Sequence, residues 1–279
     1  MKYQFLKEYE NPLFNFIIHR VNLPDQQAVC KNPFLKSLVG SKSGISIIDS
    51  KNKTILIPPG AGVEVDFWIF GDEKIIITHN NPELNKINEY PCLEEYIEAW
   101  QIKRAAEQES HIQHGIILAN LKTHGNEELF INKLEKLGIP NNEIVLLDEE
   151  PPATDRLLRK EANKVTYHCL ARRVSRIESL ANVLLSLNQD EFLESPSALF
   201  YDPNGCWQLN SYWPFDKKTV EKIYAKAPRI LTILCCPSRW GHSEQIEPLA
   251  HRLIESGLKL NYVMTDIEFM KKWQPFVTV

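Results

Sequence analysis

The sequence lacks any uninterrupted run of about 18 apolar residues, the length a membrane-spanning helix needs, so nothing in it predicts a span. It also lacks the basic-then-apolar opening of a signal peptide. MKYQFLKEYE mixes charges and aromatics from the start, and the expectation is a mature chain that begins here and works in a cytoplasm. CxxC spacing is missing too. The six cysteines, Cys30, Cys92, Cys169, Cys206, Cys235 and Cys236, are scattered, which argues against a zinc site or a disulfide framework and for reduced packing residues. There is no basic excess. A formal charge of −4 gives nucleic acid or an anionic membrane no electrostatic reason to bind. Internal repeats and low-complexity tails are absent as well.

What is present is 279 residues, 43% hydrophobic and 24% charged, which is ordinary for a globular protein with a substantial core. Eight short apolar, β-branched runs recur: FNFIIHRV, GVEVDFWIF, HGIILANLK, NEIVLLD, KVTYHCLA, SALFYD, RILTILCCP and LNYVMTD. Between most of them lie segments with apolar residues at three- and four-residue spacing, such as LEEYIEAWQIKRAAEQE, NEELFINKLEKLG, TDRLLRKEA, RIESLANVLLSL, DKKTVEKIYAKA and SEQIEPLAHRLIESG, the mark of amphipathic helices. Asn126, Thr154, Asp216 and Ser243 stand where such helices would be capped, and Gly138 and Gly257 where two would stop. Strands alternating with helices imply parallel pairing through crossovers. Eight units predict an α/β fold, a (β/α)8 TIM barrel formed as one domain over residues 1–279. Residues 31 to 60 carry ISIID and TILI separated by SKNK in place of a first helix. They read as a β-hairpin-like insertion after the first strand, on the catalytic side, where a lid-like role is expected.

The polar residues fall where a barrel would use them, at strand C-termini. Period-two alternation puts Glu64, Asp66 and Trp68 on one face of GVEVDFWIF and Val63, Val65 and Phe67 on the other. Two carboxylates so close repel, and burial would require protonation, a cationic partner or a metal. The first run ends in His19-Arg20, the segment EKIIITHN in His79, and the third run in Asn120-Leu121-Lys122. The fifth strand carries Arg172 and Arg173, and the sixth and eighth end at Asp202 and Asp266. Such parts suit metal-assisted attack on a phosphodiester. A divalent ion on Glu64 and Asp66 would polarise a phosphoryl oxygen, Arg20, Lys122 and one of Arg172 or Arg173 would balance phosphate charge, and His19 and His79 would divide the proton work. Trp68, Trp207, Trp213 and Trp240 suit either a pocket wall or packing. His111, His114, His124, His168, His242 and His251 share no ligand spacing and read as structural.

In these residues the chain resembles the glycerophosphodiester phosphodiesterases, whose signature runs HR, ExD, His. Here it is His19-Arg20, Glu64-Val65-Asp66 and His79. YPCLEEYIEAW, ANLKT, RVSRIES and VMTDIEFMKKW are similar to later family segments in the same order, so the resemblance runs from about residue 14 to residue 273. It implies a TIM barrel with His19 and His79 as catalytic acid and base and Arg20, Lys122 and Arg173 binding phosphate. The implied metal ligands are Glu64, Asp66 and Asn120, holding Mg2+ or Ca2+. The implied substrate is a small-molecule phosphodiester, cleaved to glycerol phosphate and an alcohol through a cyclic phosphate.

Three departures from the family pattern accompany the likeness. Between Arg20 and Glu64 lie 43 residues, lengthened by the insertion at 31 to 60; Asn120 stands where a glutamate is usual; and Ser238 follows Pro237 where an acid is often found. Asn120 offers a cation an oxygen without charge, so weaker metal binding is expected. The alternative reading is a catalytically degenerate barrel that binds a phosphorylated ligand without turnover. A Schiff-base aldolase built on Lys122 would need a buried lysine of depressed pKa, which two carboxylates on the same rim oppose. The sequence carries no signal for an oligomeric state.

Overall fold

The computed structural model describes residues 15–19, 45–48, 54–57, 60–71, 74–109, 114–123, 127–139, 143–148, 170–174, 198–201, 215–226, 228, 231–266 and 269–276. The chain divides into two compact units, residues 18–146 and residues 1–17 with 147–279. The expected helices TDRLLRKEA and RIESLANVLLSL, with the caps Asn126 and Thr154, lie outside the described residues.

Within residues 18–146, β2 (Ile45–Ile48) and β3 (Thr54–Ile57) pair antiparallel, Ile45 opposite Ile57, as a separate two-stranded sheet. This is the hairpin expected from ISIID and TILI. β4 (Gly62–Phe70) pairs antiparallel with β5 (Lys74–Ile77) and parallel with β6 (Ile117–Leu121). Helices α1 (Leu93–Glu109) and α2 (Glu127–Lys136) follow β5 and β6. On β4, Val63, Val65 and Phe67 are wholly buried, and the Phe67 ring lies 5.0 Å from Phe130 of α2 and 6.3 Å from Tyr96 of α1. The apolar face thus packs on helices. The acidic face is buried as well, as expected where parallel strands are covered on both sides.

In the other unit, β1 (Asn15–Ile18) starts with a backbone bond from the Asn15 N–H to the Asn261 carbonyl, just before β11 (Tyr262–Thr265). β10 (Leu231–Cys235) pairs parallel with β11 and with β9 (Ala198–Tyr201), and β9 pairs parallel with β8 (Leu170–Val174). Helix α3 (Lys217–Lys226) follows Asp216, whose Oδ1 accepts the Thr219 N–H at 2.7 Å, the cap the sequence predicted. Helix α4 (Ile246–Ser256) ends at Gly257 in the left-handed region. The predicted cap at Ser243 opens a 3-10 turn instead, and Gln245 stands before the helix. Phe215, Ile223, Leu249, Leu253, Val263 and Trp273 form the core of this unit.

β7 (Ile144–Asp148) follows α2. Parallel strands alternating with helices make this an α/β fold of the TIM-barrel kind. Of the fifth predicted run, KVTYHCLA, only its last two residues are among the described ones, and they open β8, LARRV. No described helix is long and apolar enough to cross a membrane.

One glycine fixes how β6 begins. A Cβ on Gly115 would overlap the backbone carbonyl of Ala61 and the nitrogen of Gly62. Because neither backbone group can yield as a flexible side chain would, Gly115→Ala is expected to lower stability by about 1–3 kcal/mol. A urea melt that leaves the midpoint unmoved would refute this close approach.

Candidate active site

Six of the residues expected from the sequence meet within residues 18–146. β4 carries Glu64 and Asp66 on one face, and the parallel register places Asp66 abreast of Asn120 on β6. Lys122 follows two residues later, just past the end of β6, where its N–H donates to the Phe67 carbonyl at 2.8 Å. His19 comes directly after β1. His79 arrives by a different route. Thr78 lies beside Asp66, its N–H reaching the Asp66 carbonyl at 3.3 Å, so regular alternation would turn His79 to the opposite face. The strand stops at Ile77, however, and the chain bends at His79 and Asn80, which returns the ring to Asp66.

The acids are buried, Glu64 3% and Asp66 0% exposed. Asp66 Oδ2 faces His79 Nδ1 at 2.9 Å, and Oδ1 accepts Lys122 Nζ and Asn120 Nδ2, each at 2.9 Å. Asn120 Nδ2 also reaches Glu64 Oε1 at 3.3 Å, and His19 Nε2 lies 3.7 Å from Glu64 Oε2. The burden of two buried carboxylates is therefore met within the protein, by an ammonium, an amide and two imidazoles. His79, with its side chain 36% exposed, is the member open to solvent. With Asp66 ionised, Nδ1 carries the ring hydrogen and Nε2 is left to face outward. Burial first, and then the Glu64 charge, push the Tyr96 phenol well above its ordinary range, so it stays protonated. No pattern in the chain points to Tyr96; only the packing of α1 on β4 brings it near.

Among the described residues no three His, Cys, Asp or Glu side chains group as metal ligands. The two carboxylates are nevertheless spanned by a single donor, Asn120 Nδ2, so one positive centre placed there touches both. Two charged oxygens form a hard donor set of the kind that suits a hard divalent cation, with less charge than three acids would bring.

Other candidates fall elsewhere. Arg20, Asp202, Trp207, Trp213, His111, His124 and His168 lie outside the described residues. Arg172 and Arg173 sit on β8 opposite Leu199 and Phe200, with only their backbone described. The Asp266 carbonyl accepts the Phe269 N–H. The Trp68 indole donates to the Thr78 carbonyl at 3.0 Å, which puts it in a packing role, whereas Trp240 is exposed. Ser238 donates to Cys236 Sγ at 2.9 Å and His242 faces Glu244. Cys92, Cys235 and Cys236 carry thiols rather than disulfides.

A second buried charge cluster went unnoticed in the sequence. Lys103 pairs with Glu107 one turn along α1, Glu107 Oε1 also accepts the Gly60 N–H at 2.7 Å, and His114 Nδ1 lies 3.3 Å from Glu107 Oε2. Burial lowers the Lys103 pKa, opposed by Glu107. The cluster ties α1 to the segment before β4. An i,i+4 Lys/Glu pair ordinarily marks a solvated helix face, which is why the pattern gave no warning.

No family model matches the chain, and no curated protein matches it. Among solved structures, it is similar to the crystal structure of a glycerophosphodiester phosphodiesterase from Parabacteroides distasonis ATCC 8503, with 11% identity and a TM-score of 0.47, covering 94% of this chain and 98% of that one. At that distance, the case for function rests on the site's own residues.

Proposed function

We propose that the protein is a metal-dependent phosphodiester hydrolase that cleaves a small glycerophosphodiester to glycerol phosphate and an alcohol. One observation carries the reading: two imidazoles, His19 and His79, each stand against their own member of a buried carboxylate pair, with the Lys122 ammonium beside it. Proton carriers, an acidic pair suited to a hard cation and a nearby ammonium are what in-line displacement at phosphorus requires.

In this reading His79, its Nδ1 hydrogen held by Asp66, takes the proton of the glycerol hydroxyl next to the diester. That oxygen bonds to phosphorus as the bond to the departing alcohol breaks, and His19 delivers a proton to the leaving oxygen. Water then opens the cyclic phosphate with the two roles reversed. Lys122 balances phosphate charge, and Arg20 and Arg173 keep the same task on the strength of their sequence positions. Glu64 and Asp66, with Asn120 beside them, would hold a Mg2+ or Ca2+, which would supply polarisation of the phosphoryl oxygen.

The test is release of choline from glycerophosphocholine with Mg2+, Ca2+ or Mn2+ and again after EDTA. Release with metal and its loss with chelator are expected. Release that EDTA leaves unchanged would remove the metal from the account. A second reading has its own support, because Asn120 and Lys122 already satisfy both acids without a cation. In that case the barrel binds a phosphorylated ligand and does not turn it over, and glycerol 3-phosphate would bind while no diester is cleaved.

A further inference from the structure

We propose that Lys122 is the resident counter-charge of Asp66 and that a divalent cation binds in exchange for it, which frees the ammonium to face a phosphate. The inference rests on the cation reading above and concerns what the chain does when the metal arrives.

Asp66 is wholly buried and cannot follow a departing partner into solvent. A buried carboxylate stripped of its cation is left uncompensated, so Asp66 requires one positive neighbour at all times. Lys122 Nζ fills that place at 2.9 Å. Oδ1, the oxygen it uses, also takes Asn120 Nδ2, and with two donors its lone pairs are spent. His79 uses the other oxygen, Oδ2. A cation at the point between Oδ1 and Glu64 Oε1, which Asn120 Nδ2 now spans, meets the Lys122 ammonium on the same oxygen, next to a like charge. Lys122 is the partner able to leave: it stands past the end of β6, its side chain is 18% exposed, and its four-carbon stem is flexible. One lysine thereby serves two anions in turn, holding the acid before the metal binds and a phosphate afterwards.

Lysine reactivity reads the exchange directly. The whole protein is acetylated under limiting reagent, and each lysine is quantified by mass spectrometry without metal and at saturating CaCl2, MgCl2 or MnCl2. Lys122 is expected to react several-fold faster with metal while Lys86 and Lys259 do not change. Calorimetric titration of Lys122→Gln, which keeps a polar side chain one atom shorter and removes the competing charge, is expected to show the cation bound about tenfold more tightly than by the parent. If a cation binds the parent but leaves Lys122 reactivity unchanged or lower, exchange is overturned and the cation reading stands. Should neither protein bind any of the three metals, both fall together.

Discussion

His79→Ala is expected to lower kcat on glycerophosphocholine by about 10²–10⁴-fold while hardly moving the unfolding midpoint. The ring is partly exposed, so the variant removes the proposed proton carrier rather than core packing. His19→Ala should cost a similar factor in rate, with some loss of stability because His19 is buried. Since the two act in one proton circuit, the double variant should be little worse than either single one. Steady-state kinetics beside circular-dichroism melts separate the two effects. A loss below about tenfold in both single variants would mean that neither ring carries the proton in the rate-determining step.

Asp66→Asn strikes both stability and chemistry. The carboxylate receives Lys122, Asn120 and His79 at once. An amide of the same shape has one acceptor oxygen and turns two N–H donors toward groups that are donors themselves. Breaking a buried ion pair by removing one partner costs about 3–5 kcal/mol; because Lys122 can reach water, about 3 kcal/mol is expected here. Activity should fall further, by about 10⁴-fold, as when an aspartate that fixes a catalytic histidine's tautomer becomes an amide. Urea denaturation measures the first effect and single-turnover cleavage the second. An unchanged urea midpoint would show that Asp66 is not the hub its contacts describe.

Much of the architecture is written in periodicity. All eight β-branched runs have a strand at or near them, and the hairpin of residues 45–57 stands where ISIID and TILI put it, because burial on both sides of a parallel sheet demands continuous apolar runs. Glu64 and Asp66 were legible for the opposite reason: acids in such a run are conspicuous. Two features were not legible. Alternation alone sends His79 away from Asp66, and only the bend after Ile77 reverses it. Asn120 was expected to lend an oxygen to a cation, and the sequence could not also show that its nitrogen donates to both carboxylates, an orientation set by three-dimensional neighbours.

That bend has a consequence for how this chemistry could be silenced. Phe67 to Phe70 and Lys74 to Ile77 are zipped together, ending at Phe67 and Ile77, and two more rungs, Thr78 on Asp66 and His79 on Val65, would carry the imidazole around to the helices. A valine at position 80, whose preference is for extended backbone, could extend the zipper and disarm the protein with every reactive atom still in place. The decisive instruction at this corner is where the strand is told to end.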